Sequence, residues 1–214
     1  MEQFKILLGD AGAGKIEEAV ERAEAGSSGE LVPVVVERSS AYTFTYWVGA
    51  FAGLVFASVA AWVITREHPW FPLEQVFILQ FAGGLFGALM VQLLPGLQRW
   101  MIPRARMRAE VAETALANFI RHGLMETERR TGVLIFMSVF ERRVEILGDK
   151  GIHQKVGESF WKEEADLLAR GFRDGRALEA LLEAIDKLGQ SFRTHFPRDA
   201  GDRNELSDSV RRGK

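Results

Sequence analysis

The architecture follows from residues 133–147, which read Val133-Leu-Ile-Phe-Met-Ser-Val-Phe140 and then Glu141-Arg-Arg-Val-Glu-Ile-Leu147. The first part is a continuous apolar run, which is typical of a central strand that is buried on both faces. A charged turn leads from it into a shorter strand at Val144–Leu147, and so short a connection makes the two strands antiparallel. The β-branched run Leu31–Glu37 predicts a further strand, which Pro33 places at an edge or at the strand's beginning.

Helical patterns lie on either side of these strands. Apolar residues at three- and four-residue spacing predict helices in the ranges 16–25, 104–124, 156–169 and 178–192, with the third broken at Gly171. The long connection between the first two strands implies a parallel pair, to which the charged turn adds an antiparallel neighbour. We therefore expect an α/β fold with a small mixed sheet flanked by helices.

Two apolar stretches without any aspartate, glutamate, lysine, arginine or histidine, Tyr46–Ile64 and Gln75–Pro95, interrupt this pattern. The first has 19 residues, which as a helix span about 28 Å, close to the ~30 Å hydrocarbon core of a bilayer. We expect a transmembrane hairpin inserted into the domain. The predicted organisation is a first part of the domain at 1–41, the hairpin at 42–102 (spans at about 46–64 and 75–95), the remainder at 103–197 and a disordered tail at 198–214.

Basic residues near the spans predict the orientation of the hairpin. Arg99, Arg104, Arg106 and Arg108 follow the second span, whereas the loop between the spans has only Arg66, balanced by two glutamates. Because lysine and arginine concentrate on the cytoplasmic side, we expect a multi-pass membrane protein with both termini in the cytoplasm and the loop between the spans outside. We therefore expect the lipid bilayer to be one of its partners.

Small residues recur at one-turn spacing on both predicted spans, as Gly49 and Gly53 on the first and Gly83 and Gly87 on the second. Such residues allow helices to approach closely within a membrane. The four glycines are candidate helix-packing residues. They either join the two helices of one hairpin or form a contact between protomers of a homo-oligomer.

The composition excludes several classes of function. The chain has no cysteine, which excludes disulfides, thiolate catalysis and cysteine-ligated metals. It has 27 lysine and arginine residues against 29 aspartate and glutamate residues. This balance does not point to a nucleic-acid partner.

The order of elements resembles the TPM domain family, especially over Thr131-Gly-Val-Leu-Ile-Phe-Met-Ser-Val-Phe-Glu-Arg-Arg-Val-Glu-Ile-Leu-Gly-Asp-Lys-Gly-Ile152. The segment Ser28–Val36 is similar to the first strand of that family, and Gly175–Phe196 to its closing helix. The subfamily with a hairpin inserted after the first strand is the most similar. The resemblance implies a TPM-like fold, Ca²⁺ binding through acidic loop residues in some members and an acid phosphatase activity in a plant member. Bacterial members often accompany LemA-type membrane proteins.

Three acidic residues are candidate ligands of a divalent cation such as Ca²⁺, which prefers oxygen ligands. Asp149 lies in the turn Gly148–Gly151, which the resemblance identifies with a family motif, while Glu30 and Glu37 lie at the ends of the first strand. Glu141 and Glu145 are further candidates. The alternative is that the charges near Glu141 are solvated and that Asp149 shapes a turn.

A nucleotide site is a remote alternative. Residues 9–15 read Gly9-Asp-Ala-Gly-Ala-Gly-Lys15, which fits a phosphate-binding loop as far as the lysine. The next residue is Ile16, where such a loop needs serine or threonine to hold Mg²⁺.

With this resemblance, the leading hypothesis is a bacterial inner-membrane protein, without an expected catalytic residue, that presents a cytoplasmic TPM-like domain for binding to itself or to other membrane proteins. The competing hypothesis is a divalent-cation-dependent phosphatase with the same topology.

Overall fold

The computed structural model of the chain describes residues 2–127, 129–156, 158–198, 206 and 209–213. Its helices are α1 (Glu2–Leu8), α2 (Asp10–Glu24), α3 (Phe44–Glu67), α4 (Leu73–Leu93), α5 (Pro95–Met101), α6 (Arg104–Arg121), α7 (Lys150–Val156), α8 (Glu158–Arg173) and α9 (Ala177–His195). Its strands are β1 (Glu30–Val36), β2 (Gly132–Ser138), β3 (Arg143–Gly148) and β4 (Arg211–Arg212).

The strands form a mixed sheet, which within the described residues has the order β3-β2-β1-β4. Strands β1 and β2 are parallel, with Glu30 opposite Gly132 and Val36 opposite Ser138. Strand β3 is antiparallel to β2. The predicted α/β fold with a small mixed sheet is therefore confirmed.

Alternate residues of the two central strands face two separate cores. Leu31 and Val35 of β1 belong to one core together with α2, α8 and α9, whereas Val32, Val34 and Val36 belong to the other, which α6 covers. Because helices cover both faces, both strands are buried at every position. This explains why their sequences are continuous apolar runs instead of alternating ones.

The chain separates into two compact units, residues 1–39 with 107–214, which contain the sheet, and residues 40–106. In the second unit, α3 and α4 pack against each other through their glycines. A Cβ added to Gly49 would lie 2.7 Å from the carbonyl oxygen of Gly87, and one added to Gly53 would overlap the carbonyl oxygen of Gly83. The four predicted packing glycines therefore lie at the contact of these two helices.

Polar side chains within this unit bond to one another. The Nε2 of Gln80 on α4 donates to the Oγ of Ser58 on α3 (3.0 Å), and this hydroxyl donates to the carbonyl of Leu54 (2.8 Å). Near the start of α3, the amide of Gln98 on α5 donates to the Oγ1 of Thr45 (3.1 Å), and both residues are buried. These bonds give each of these polar side chains a partner within the unit.

The structure corrects two predictions. The helix α8 continues through Gly171 to Arg173 and is followed by Gly175, whose positive φ of 82° turns the chain. Gly171 instead allows close approach of α9, because an added Cβ would overlap the side chain of Ala180. The tail after residue 197 is not wholly disordered, since Arg211 and Arg212 pair with Val34 and Val35.

We expect substitution of Gly53 by alanine to destabilise the second unit, because its Cβ has no space against α4. Overpacking of this kind costs about 1–3 kcal/mol. The matched control is Gly84→Ala on α4, where the added Cβ would lie 3.5 Å from its nearest neighbour, in ordinary contact. Thermal unfolding in detergent should show a lower midpoint for Gly53→Ala and an equal or higher one for Gly84→Ala. Equal midpoints for the two variants would contradict this packing.

Candidate functional site

Two of the three predicted cation ligands lie at the same end of the sheet, where β1 and β2 begin. Glu30 is opposite Gly132 on β2, and the backbone N–H of Asp149 donates to the carbonyl of the same glycine (2.9 Å). The two acidic residues thus flank the first residue of the central strand. Both are buried.

Both carboxylates already have contacts within the protein. The Oε2 of Glu30 accepts from the backbone N–H of Leu206 (3.3 Å). The Oδ1 of Asp149 accepts from the N–H of Lys150 (2.6 Å), and the Arg130 guanidinium lies 3.8 Å from its Oδ2. That Oδ2 is buried and has no hydrogen-bond partner among the described residues. These hydrogen bonds and the nearby guanidinium offset part of the cost of burying the two carboxylates.

The third predicted ligand, Glu37, does not join them. It is exposed and follows the last residue of β1, so it lies about 23 Å along the strand from Glu30 at ~3.3 Å per residue. Glu37 is therefore not a third ligand beside Asp149 and Glu30, because the length of β1 separates it from them. The described residues contain no group of three acidic or histidine side chains that would hold a metal ion. A Ca²⁺ site with six to eight oxygens is therefore not assembled from the predicted set.

The end of the sheet where β1 and β2 finish has its own polar cluster. Glu141 is only 4% exposed and accepts from the backbone N–H of Ser39 (3.0 Å) and from the hydroxyl of Ser138. The Ser39 hydroxyl donates to Ser138 (3.1 Å). The interpretation of Glu141 as a solvated turn charge is wrong. Its carboxylate holds the segment after β1 against the turn that follows β2.

A cavity of about 350 Å³, which we call the basic cavity, opens beside the start of β1 and β2. Its walls include Ser28, Arg129, Thr131, Lys155, His195 and Phe196. These residues come from the connection before β1, the loop before β2, α7 and the end of α9. No sequence pattern links segments that lie so far apart in the chain, so this site could not be predicted from the sequence.

Residues 9–15 do not form a phosphate-binding loop. Asp10 begins α2, and the helix continues through Lys15, while the preceding residues form α1 and not a strand. A phosphate-binding loop presents several free backbone N–H groups to the phosphates, but here Ala13 N–H already donates to the Gly9 carbonyl (2.8 Å). The structure does not support the nucleotide-site alternative.

One histidine of the sheet-containing unit contacts the tail. The Arg211 guanidinium lies 2.8 Å from the Nδ1 of His122, just after α6. Burial, followed by the charges of Arg211 and Arg121, lowers the pKa of His122 from its ordinary value of 6.5. The uncharged ring accepts a hydrogen bond that the charged ring would not. On β3, burial raises the pKa of Glu145, with Arg143 and Arg108 acting in the opposite direction.

Comparison with protein families matches residues 100–191 to a model described as the TPM domain. The matched range begins in α5 and ends within α9, so β1, α3 and α4 lie outside it. Among solved structures, the NMR structure of the BA42 protein from the psychrophilic bacterium Bizionia argentinensis is similar, with a TM-score of 0.61, 19% identity and coverage of 100% of each chain. At this identity the likeness indicates a shared fold. A comparison with curated protein sequences finds no significant match.

We expect the contact between His122 and Arg211 to weaken as the pH falls below about 6.5. The folded pKa lies below the unfolded one, so the unfolded chain binds the proton first and the free energy of unfolding falls through this window. We expect denaturant unfolding to show that the free energy of unfolding falls less between pH 7.5 and pH 5.5 for His122→Gln than for the wild type. The control His68→Gln, in the connection between α3 and α4, should lose as much as the wild type; equal losses for all three proteins would contradict the prediction.

Proposed function

We propose that this chain, whose residues 100–191 match the TPM domain, is a bacterial inner-membrane protein in which α3 and α4 cross the bilayer and hold the sheet-containing unit at the cytoplasmic surface. There the unit binds other proteins or further copies of the chain. The proposal assigns the hairpin the role of an anchor and the α/β unit the role of a binding module.

The observation that carries this proposal is the exposure of apolar side chains on α3 and α4. Both helices are long and apolar enough to cross a membrane, yet only 17% and 6% of their most apolar windows are buried. Large side chains such as Trp47, Phe56 and Phe81 are at least 77% exposed. A core helix of a water-soluble protein would bury these groups. Apolar side chains exposed along a whole helix mark contact with a membrane or a partner.

The internal polar contacts of the second unit support the same reading. In hydrocarbon, every polar group needs a partner within the protein, and the Gln80 amide donates to the Ser58 hydroxyl across the helix pair. The glycine contacts supply the close packing that replaces hydrophobic attraction within a bilayer.

The basic residues beside the helices support a cytoplasmic position for the α/β unit. Arg99 lies on α5, and Arg104 and Arg106 lie at the start of α6. The Arg106 guanidinium lies 4.5 Å from the centre of the Phe44 ring at the start of α3. A cationic group stacked on an aromatic ring at a helix end suits the polar headgroup region.

The proposed partners follow from the TPM resemblance and from the surface of the unit. Leu116 and Ile120 of α6 are more than half exposed, which is compatible with a protein contact. Other membrane proteins, including LemA-type proteins, and a second copy of the chain are the candidates.

Cysteine labelling tests the topology. The chain has no native cysteine, so single cysteines at Asp174 and Glu67 report on one position each. In intact cells, an impermeant thiol reagent should label Glu67→Cys and leave Asp174→Cys unlabelled until the cells are permeabilised. Labelling of Asp174→Cys alone would indicate the opposite orientation. Labelling of both variants without permeabilisation would contradict the membrane-spanning hairpin.

A cation-dependent phosphatase is the second candidate. The observation that favours it is Asp149, whose buried Oδ2 has no hydrogen-bond partner among the described residues and which shares one sheet end with Glu30. Against it, Arg130 lies close to that oxygen, and Glu37 is remote.

Hydrolysis of p-nitrophenyl phosphate by the detergent-solubilised protein separates the two candidates. The binding module should give no turnover above a protein-free blank, with Ca²⁺ or with EDTA. A phosphatase would require Ca²⁺, lose activity in Asp149→Asn and keep it in the control Glu37→Gln, whose side chain lies at the other end of β1.

A further inference from the structure

We infer that the basic cavity binds an organic oxyanion, meaning a carboxylate or a phosphate carried on an apolar group. This inference concerns the sheet-containing unit alone, and it does not depend on whether α3 and α4 cross a membrane. It assigns a ligand site to residues from four separate segments of the chain.

The charge of the cavity points to an anion. Arg129 and Lys155 contribute two permanent positive charges, and His195 adds a third basic group. None of the described residues that line the cavity is acidic. A concave surface lined by one sign of charge raises the local concentration of the opposite ion, and guanidinium and ammonium groups form charge-assisted hydrogen bonds with oxyanions.

Ser28 lies in the wall of this cavity. Its backbone N–H donates to the carbonyl of Phe196 (3.0 Å), and its own carbonyl accepts from the hydroxyl of Thr131 (2.5 Å). The position of Ser28 is thus set by the end of α9 and by the loop before β2. Its hydroxyl is buried and has no hydrogen-bond partner among the described residues. A buried hydroxyl without a partner is costly, and an oxyanion would accept a hydrogen bond from it.

The cavity also has an apolar wall, which is why we assign it an organic anion and not a bare inorganic ion. Phe196 is 6% exposed, and Pro197 continues the same wall. The Nζ of Lys155 lies 4.5 Å from the centre of the Phe196 ring and donates to the His195 carbonyl (3.2 Å). Its charge is therefore held beside an apolar surface. The volume lies in the range of ~300–1,000 Å³ that is typical of small-molecule sites.

A close backbone contact joins the two sides of the cavity. A Cβ added to Gly151 on α7 would lie 2.6 Å from the carbonyl oxygen of Arg130 and 2.9 Å from that of Arg129. The loop that carries Arg129 therefore packs directly against the helix that carries Lys155. This contact fixes the backbone that carries the basic side chains before a ligand binds.

Titration of the full-length, detergent-solubilised protein with three small probes tests the site. Benzoate carries a carboxylate on a phenyl ring, and phenyl phosphate carries a phosphate on the same kind of ring. Benzyl alcohol is the neutral control. We expect both anions to bind, more weakly as salt rises, and benzyl alcohol not to bind. Tighter binding of phenyl phosphate would identify a phosphate ligand, and tighter binding of benzoate a carboxylate ligand. Absence of binding by both anions would overturn the inference.

Charge-neutralising variants locate the binding. Lys155→Gln and Arg129→Gln should each weaken binding about tenfold, the scale of one lost charged contact. Lys15→Gln and Arg176→Gln remove the same charges from exposed positions that do not line the cavity, and they should bind as the wild type does. Equal weakening in all four variants would indicate general attraction to a charged surface and would overturn the site.

Ser28→Ala separates a ligand role from a structural one. Because the described structure gives this hydroxyl no hydrogen bond, its removal should leave the thermal midpoint unchanged or higher while weakening anion binding several-fold. A lower midpoint with unchanged binding would assign Ser28 to folding and would contradict its role in the cavity. Gly29→Ala is not a suitable control, because its Cβ would lie 2.5 Å from the Phe192 ring.

Discussion

The parallel pairing of β1 with β2 is the contact on which the rest of the α/β unit depends. The seven residues Glu30–Val36 pair in register with Gly132–Ser138, although α3, α4, α5 and α6 lie between them in the chain. Parallel strands need a long crossover, and the cost of closing a loop rises only slowly with its length. A sheet with a large insertion between its central strands is therefore feasible, provided that helices cover both of its faces, as they do here.

The same pairing explains where buried polar groups occur. Where β1 and β2 begin, Glu30 and Asp149 flank Gly132, and the basic cavity lies beside Ser28 and Thr131. Where the strands finish, Glu141 joins Ser39 to Ser138. In both clusters, buried carboxylates accept hydrogen bonds from backbone N–H groups outside the paired strands. Buried polar groups generally require such partners. The wall of the basic cavity combines three basic side chains with Ser28, whose hydroxyl has no hydrogen-bond partner among the described residues, and for that reason we assign the ligand there.

The two units illustrate opposite uses of apolar side chains. In β2, Leu134 and Phe136 are fully buried between the sheet and α6. In α3 and α4, residues of similar hydrophobicity are exposed, and the contact between the helices depends on glycine. Burial drives the first arrangement, whereas the second is stable only if lipid or protein covers the exposed side chains. This contrast is the physical basis of the proposed membrane anchor.

The sequence by itself determined the elements whose signal is local. Apolar runs and helical spacing predicted β1, β2, β3, α6, α9 and the two long apolar helices, and the connection lengths predicted which strands are parallel. Only the tertiary structure decided which side chains meet. The separation of Glu37 from Glu30, the burial of Glu141, the pairing of Arg211 and Arg212 with β1 and the convergence of Ser28, Arg129 and Lys155 all depend on strand register and on packing between distant segments. Local spacing carries no information about such contacts, because they form between residues that the chain itself keeps far apart.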